Sequence, residues 1–361
     1  MQHGENLDRL EHMETMQTGP GTETSSASCL MLPRSSASLD PRGEVRTDKE
    51  WWVVAHGMAA TGGGSGGIDG GGGGRRRSWV AYGRVVNHGV PEQVLRDMEA
   101  VCHEFFQMPA ADKAEFYSED KSKPNRLFSG TNYETLGERY WRDCLRLVYP
   151  LPSGDTKDWP HKPQRLREVV GNYTALARGL AMEILRLLCE GMGLRPDYFV
   201  GDISGGRVAL DINSYPPCPD PSRTLGLPPH CDRDLITILL PGAVPGLEVA
   251  YRGDWIRVQP VPNSFVVNFG LQLEVVTNGT LKSVEHRAAT NSAAPRLSVA
   301  TFIVPVDDCV VGPAEEFVGE GNPPRYRTLR VGDFKRMHNV VNLGSSLNQI
   351  TNLKNNQQKE I

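Results

Sequence analysis

No apolar run in this chain of 361 residues approaches the roughly 18 residues that a membrane-spanning helix needs. The amino terminus carries Glu5, Asp8, Glu11 and Glu14 and lacks the basic and apolar regions of a secretory leader, and so acidic a start argues equally against an organelle transit peptide. Cysteine is sparse: the seven residues, at positions 29, 102, 144, 189, 218, 231 and 309, are scattered, odd in number and form no Cys-x-x-Cys pair, which reads as the reduced thiols of an intracellular protein. Charge of one sign is also missing. With 39 basic against 43 acidic residues the net charge is -4, leaving no electrostatic footprint for a nucleic acid or an anionic membrane. The expectation is a cytosolic, monomeric protein with reduced thiols and neither nucleic-acid nor membrane partners.

What is present divides along the chain. Residues 1 to 78 are rich in Ser, Thr, Gly and acids, with a glycine tract from Gly62 to Gly74; too little apolar surface offsets the entropy of ordering, so a disordered arm is expected. No Gly-Lys-Ser/Thr follows the glycines, which rules out a phosphate loop. From Trp79 to residue 205 the pattern is globular and mainly helical. Pro91 opens a helix with Val94, Leu95, Met98, Val101, Cys102, Phe105 and Phe106 at helical spacing, and His88 before it reads as a turn residue. A longer helix is predicted over 163 to 190, closed by Gly191. Tyr140 to Leu145 fits either a strand or a short helix. Past Gly206 the period changes to strands, at 207–215, 235–240, 246–250, 254–259, 264–269, 272–277, 281–289 and 296–304. Eight short strands at this density predict a mainly β fold with flanking helices, a jelly-roll (double-stranded β-helix) barrel over 206 to 306. Residues 307 to 361 follow as a carboxy-terminal segment whose polar tail, after about His338, is expected to be disordered.

The chemistry concentrates in the barrel. His230 and Asp232 flank Cys231, and on a strand i and i+2 point to one side, so the two are expected to converge. With His286 they make two imidazoles and one carboxylate, the set that holds ferrous iron on one face and leaves its other positions open. These residues are assigned to the second and seventh strands. Arg296 and Ser298 share a face of the eighth, where a guanidinium beside a hydroxyl suits a buried carboxylate.

Longer stretches carry a resemblance. They are Asn213-Ser214-Tyr215-Pro216-Pro217-Cys218-Pro219, Thr224 through Asp232, Leu235 through Leu240, Phe265-Val266-Val267-Asn268, Thr277-Asn278-Gly279, Val284-Glu285-His286-Arg287 and Arg296-Leu297-Ser298. Together they make the chain, from about Val85 to Phe334, resemble the plant-type 2-oxoglutarate- and Fe(II)-dependent dioxygenases. Tyr140-Trp141-Arg142-Asp143 and Gly270-Leu271 are similar to the branch containing hyoscyamine 6-dioxygenase and the deoxymugineic-acid dioxygenases. The resemblance implies that His230, Asp232 and His286 bind Fe(II), and that Arg296 and Ser298 hold the distal carboxylate of the co-substrate 2-oxoglutarate. Tyr215 would be a further donor to it, and Asn213 would border it. It implies oxidative decarboxylation of 2-oxoglutarate to succinate and CO2, coupled by O2 to hydroxylation, epoxidation or desaturation of a small organic metabolite, with ascorbate in support.

The chain departs from that family at its start. Relatives begin with a strand and helix before the Asn87-His88-Gly89 turn, where this sequence has its glycine-rich arm, so a missing edge strand is expected. Two other functions stand beside the dioxygenase: an Fe(II) oxidase that does not use 2-oxoglutarate, and a non-catalytic relative that binds metal or carboxylates. A zinc hydrolase lacks a general base at recognisable spacing. Phe302 and the surroundings of Phe128, Tyr140 and Leu210 are expected to line the substrate pocket.

Overall fold

The computed structural model describes residues 52–55, 79–80, 82–130, 140–337 and 351. The order begins with β1 (Trp52–Ala55), β2 (Trp79–Val80), β3 (Tyr82–Val86) and helix α1 (Glu92–Gln107). It continues with β4 (Arg126–Gly130), β5 (Tyr140–Pro150), α2 (Leu166–Met192), β6 (Arg207–Tyr215), β7 (Leu227–His230), β8 (Ile236–Leu240), β9 (Leu247–Tyr251) and β10 (Asp254–Arg257). Then come β11 (Phe265–Phe269), α3 (Leu271–Val276), β12 (Leu281–Lys282), β13 (His286–Ala288), β14 (Arg296–Val304), β15 (Val310–Val311), β16 (Leu329–Arg330) and α4 (Val331–Met337).

Two antiparallel sheets form the jelly roll that the sequence predicts. The larger runs β1-β3-β11-β8-β14-β6-β5-β4 and the smaller β10-β9-β13-β7. Side-chain alternation divides the large sheet. On β6, Val208, Leu210 and Ile212 belong to the main core with α1 and α2, as do Leu297, Val299 and Ile303 on β14. The alternate positions, Asp211, Asn213 and Tyr215 on β6 and Arg296, Ser298, Ala300 and Phe302 on β14, line a cleft between the sheets. A second apolar cluster of Leu239, Leu247, Val249, Val258, Val266 and Val284 packs between them. Leu95, Met98, Val101, Cys102 and Phe105 form the buried stripe of α1, and α2 stops where Gly193 takes a left-handed φ of 73°.

Several expectations are corrected. Residues 272–277 are not a strand: Leu271–Val276 is a helix with all six residues buried, a case where a short apolar run does not distinguish a strand from a buried helical turn. The predicted strand 281–289 is split, β12 pairing in parallel with β2 and β13 joining the small sheet. The region 79–205 is less helical than expected, because β3, β4 and β5 extend the large sheet. Tyr140 to Leu145 is strand. The edge expected to be missing is occupied: β1, inside the segment read as a disordered arm, pairs antiparallel with β3, Trp52 opposite Val86 and Ala55 opposite Gly83. Its Trp-Val-Val-Ala run is rich in strand-forming residues. In the tail, Thr351 forms an isolated bridge with Tyr326. The rest of the arm and of the tail lies outside the described residues.

Candidate active site

β13 runs antiparallel to β7, and this register sets His286 directly opposite His230. Their rings lie 4.3 Å apart between centroids. Asp232 is not on a strand with His230, as the spacing suggested: β7 ends at His230, ahead of the strand to which the motif was assigned, and Asp232 lies in the turn to β8. That turn is held by helix α3, whose Leu271 N–H donates to the Asp232 carbonyl at 2.8 Å while the Gly270 N–H donates to that of Leu235 at 3.1 Å. A Cβ on Gly270 would collide with the Asp234 carbonyl and stand 3.1 Å from that of Asp232. Glycine permits this close approach.

His230, Asp232 and His286 are all buried, and their candidate ligand atoms lie within 4.8 Å of one another. Each histidine Nδ1 faces a carbonyl, that of Pro228 at 2.8 Å for His230 and that of Val284 at 3.0 Å for His286. A carbonyl only accepts, so Nδ1 carries the proton and the Nε2 lone pairs face inward. The two Nε2 atoms stand 3.7 and 3.6 Å from Asp232 Oδ1. Burial, with the neighbouring His286 next, pushes the His230 pKa down to about 3, so the ring is neutral at physiological pH and its approach to Asp232 is not an ion pair. The other carboxylate oxygen, Oδ2, accepts a hydrogen bond from Thr237 at 2.7 Å. Oriented imidazoles and a hydrogen-bonded carboxylate form a ready set of metal ligands.

The same cleft, about 540 Å³ including its open mouth, contains Arg296, Ser298, Tyr215 and Asn213. On the ladder between β14 and β6, Arg296 is opposite Tyr215 and Ser298 opposite Asn213. The Arg296 guanidinium stacks over the Tyr215 ring at 4.9 Å, its Nε donates to the Val244 carbonyl at 3.2 Å, and its buried Nη1 has no partner among the described residues. A Cβ on Gly246 would stand 2.7 Å from Arg296 Cδ, so that glycine makes room for the side chain. A buried guanidinium with an unmet N–H fits a carboxylate ligand, as 2-oxoglutarate would supply.

Several residues of the site were not anticipated. The sequence places Thr237 on a strand and carries no sign of its bond to Asp232. Arg142 lines the cleft and donates from Nη1 to Asn213 Oδ1 at 2.5 Å, a role that its Tyr-Trp-Arg-Asp motif does not reveal. Asp211 also lines the cleft and is gripped by Arg146 through Nε at 2.6 Å and Nη2 at 2.5 Å. Of the expected apolar walls, Phe302 lines the cleft. Near Leu210 the lining residue is Asp211 and near Tyr140 it is Arg142, while Leu210 itself faces the helices and Phe128 and Tyr140 are buried outside the lining. His88 is a turn residue: its Nδ1 accepts from the Val90 N–H at 3.2 Å and its Nε2 faces the Asn263 carbonyl at 3.2 Å.

Comparison with known proteins agrees with this geometry. Residues 207–305 match the 2OG-Fe(II) oxygenase superfamily, and residues 81–167 match the amino-terminal family described as non-haem dioxygenase in morphine synthesis. Over 274 residues the chain is 79% identical to mugineic-acid 3-dioxygenase of Hordeum vulgare, covering 76% of this chain and 81% of the relative. It is 63% identical over 283 residues to 2'-deoxymugineic-acid 2'-dioxygenase of the same plant, covering 78% and 83%. Among solved structures, JOX2 in complex with 2OG, Fe and JA superposes with a TM-score of 0.69 at 33% identity, covering 75% of this chain and 82% of that one. The chain belongs to the 2-oxoglutarate- and Fe(II)-dependent oxygenase superfamily. It is a dioxygenase, an oxidoreductase that uses Fe(II) and 2-oxoglutarate to oxidise a small organic metabolite.

Proposed function

We propose that the chain hydroxylates mugineic acid or a close derivative, with His230, Asp232 and His286 as the iron ligands and Arg296 and Ser298 as the anchor for the distal carboxylate of 2-oxoglutarate. Tyr215 flattens against the Arg296 guanidinium and Asn213 borders the co-substrate. The observation that carries this reading is the convergence, in one cleft, of three inward-facing ligand atoms with a buried arginine N–H that lacks a partner. The choice of substrate is supported by the similarity to the two Hordeum vulgare relatives.

Bound iron supplies the oxygen chemistry, joining O2 activation to decarboxylation of 2-oxoglutarate. The chain's own residues orient and enclose. The backbone carbonyls of Pro228 and Val284 fix which histidine nitrogen is free, and Thr237 occupies Asp232 Oδ2, so that Oδ1 would be the oxygen left to hold the metal. Arg296 sets the co-substrate's direction, and Leu239, Ala300 and Phe302 provide an apolar wall beside it.

The test incubates the iron-loaded protein with 2-oxoglutarate and mugineic acid or 2'-deoxymugineic acid. The expected result is succinate together with a product about 16 mass units heavier, the gain of one oxygen. Oxidation of either compound without succinate would replace the reading by the oxidase; no oxidation of either would remove these substrates. The reading includes a cytosolic monomer. All six described cysteines are free, and no described helix is long and apolar enough to cross a membrane; size-exclusion chromatography tests the oligomeric state.

A further inference from the structure

Once iron and 2-oxoglutarate are assigned, most polar side chains of the cleft are accounted for within the protein. Thr237 donates to Asp232, Asn213 accepts from Arg142, and Arg146 holds Asp211. Arg287 donates to Glu248 at 2.8 Å and lies over the Trp255 ring at 4.2 Å. The open N–H of Arg296 awaits the co-substrate. Asn268 has no such assignment.

Asn268 is on β11, directly opposite Thr237 on β8, and so one strand away from the residue that holds the Asp232 carboxylate. It lines the cleft, is only 2% exposed, and its Oδ1 has no hydrogen-bond partner among the described residues. Its cleft-side neighbours on the two strands, Val266 and Leu239, belong to the apolar cluster between the sheets and offer no donor. A buried amide oxygen left unmet costs stability in the free protein, and native interiors rarely keep such an atom without use. Local rules are broken most often where a ligand completes them.

We propose that Asn268 is a substrate-contacting residue whose Oδ1 accepts a hydrogen bond from an N–H or O–H group of the substrate, on the Asp232 side of the iron position. An amide oxygen is uncharged, so it reads a polar hydrogen without demanding a cation. It therefore discriminates amine- or hydroxyl-bearing substrates from hydrocarbon isosteres, which would leave it unmet. The inference rests on the assignment of this cleft to mugineic-acid oxidation.

The experiment compares wild type, Asn268→Leu and Asn268→Ala, each loaded with Fe(II), using mugineic acid as probe. It reads the KM for mugineic acid, the affinity for 2-oxoglutarate, the ratio of hydroxylated product to succinate, and Tm without substrate. Asn268→Leu is expected to raise KM about tenfold, as loss of one buried hydrogen bond implies. It should lower product per succinate and leave 2-oxoglutarate affinity unchanged. Its Tm should be equal to or above that of wild type, since an apolar group of similar volume removes the unmet oxygen. Asn268→Ala, which leaves space for a water to replace that oxygen, should fall between the two. Unchanged KM and product ratio in both variants would overturn the proposal. So would a fall in Tm accompanied by loss of 2-oxoglutarate binding, which would make Asn268 a structural residue. Absence of turnover by wild type itself removes the substrate assignment and this inference with it, and is told apart because it does not depend on position 268.

Discussion

Thr237 gives its hydroxyl hydrogen to Asp232 Oδ2 at 2.7 Å, which leaves Oδ1 as the oxygen facing both histidines. On the proposed ligand assignment, the carboxylate would have one oxygen for the protein and one for the metal. Thr237→Val keeps the side-chain shape and removes the donor. Fe(II) affinity, measured by anaerobic titration, is expected to fall about 10- to 100-fold, the range for residues that orient metal ligands. Unchanged affinity would show that the turn held by α3 positions Asp232 without help.

His230→Ala, Asp232→Ala and His286→Ala are each expected to abolish succinate formation, because a three-ligand site that loses one member loses both affinity and geometry. Asp232→Glu should fail as well, its added methylene displacing the carboxylate by more than the roughly 0.5 Å such sites tolerate. Full Fe(II)-dependent turnover by any of the four would remove that residue from the ligand set.

Arg296→Ala should weaken 2-oxoglutarate binding and spare iron. Truncating one partner of a buried charge pair costs roughly 2 to 5 kcal/mol, on the order of 30-fold to several-thousand-fold in affinity. Arg296→Lys should recover part of this, since a point charge replaces neither the planar fork nor its stacking on Tyr215. Paired titrations with Fe(II) and with 2-oxoglutarate separate the two effects. Equal 2-oxoglutarate affinity in Arg296→Ala and wild type would place the anchor elsewhere.

Asp211 should make the fold sensitive to acid. Burial pushes its carboxyl up, but the charges and hydrogen bonds of Arg146, with Arg142 and Arg126 nearby, outweigh burial and hold its pKa below the usual value. The folded-state pKa is depressed, so the stabilisation is fully present above the unfolded value of about 3.9 and is lost as pH falls through the folded value. Asp211→Asn is expected to cost about 3 kcal/mol at pH 7, by breaking a largely buried pair. The difference from wild type should shrink below about pH 4. Urea unfolding at both pH values measures this; a difference independent of pH would assign the loss to packing.

Edge pairing of β1 with β3 predicts that two truncations differ. Removing residues 1–48 should leave Tm unchanged. Removing residues 1–57 strips the strand from the large sheet and should lower Tm by a few degrees, as expected for roughly 1 kcal/mol in a domain of this size. Equal Tm values for the two would show that β1 contributes nothing to stability.

The legible part of the site is the part that depends on one strand at a time. Arg296 and Ser298, and Asn213 and Tyr215, share faces because side chains alternate with period 2, and the same alternation exposes Leu210 as a core residue once the phase is known. Strand alternation does not explain why Asp232 joins His230: the strand ends at His230, and α3 holds the Asp232 backbone in the turn that follows. That helix has the sequence pattern of a buried strand, since six apolar-rich residues carry too little periodicity to decide. Arg142 on Asn213, 71 residues apart, and Asn268 opposite Thr237 depend on which strands are neighbours and in what register. No local pattern carries that information.

The division of β6 and β14 into two faces has an evolutionary corollary. Asp211, Asn213 and Tyr215 of β6 and Arg296, Ser298, Ala300 and Phe302 of β14 meet the cleft, while Val208, Leu210, Ile212, Leu297, Val299 and Ile303 belong to the core shared with the helices. Substitutions at Ala300 or Phe302 are therefore expected to reshape the cleft while leaving Leu210, Ile212 and Val299 in the core cluster. A lineage can drift in substrate preference on one set of positions while selection for folding acts on the other. That separation lets one scaffold host many chemistries of oxidation.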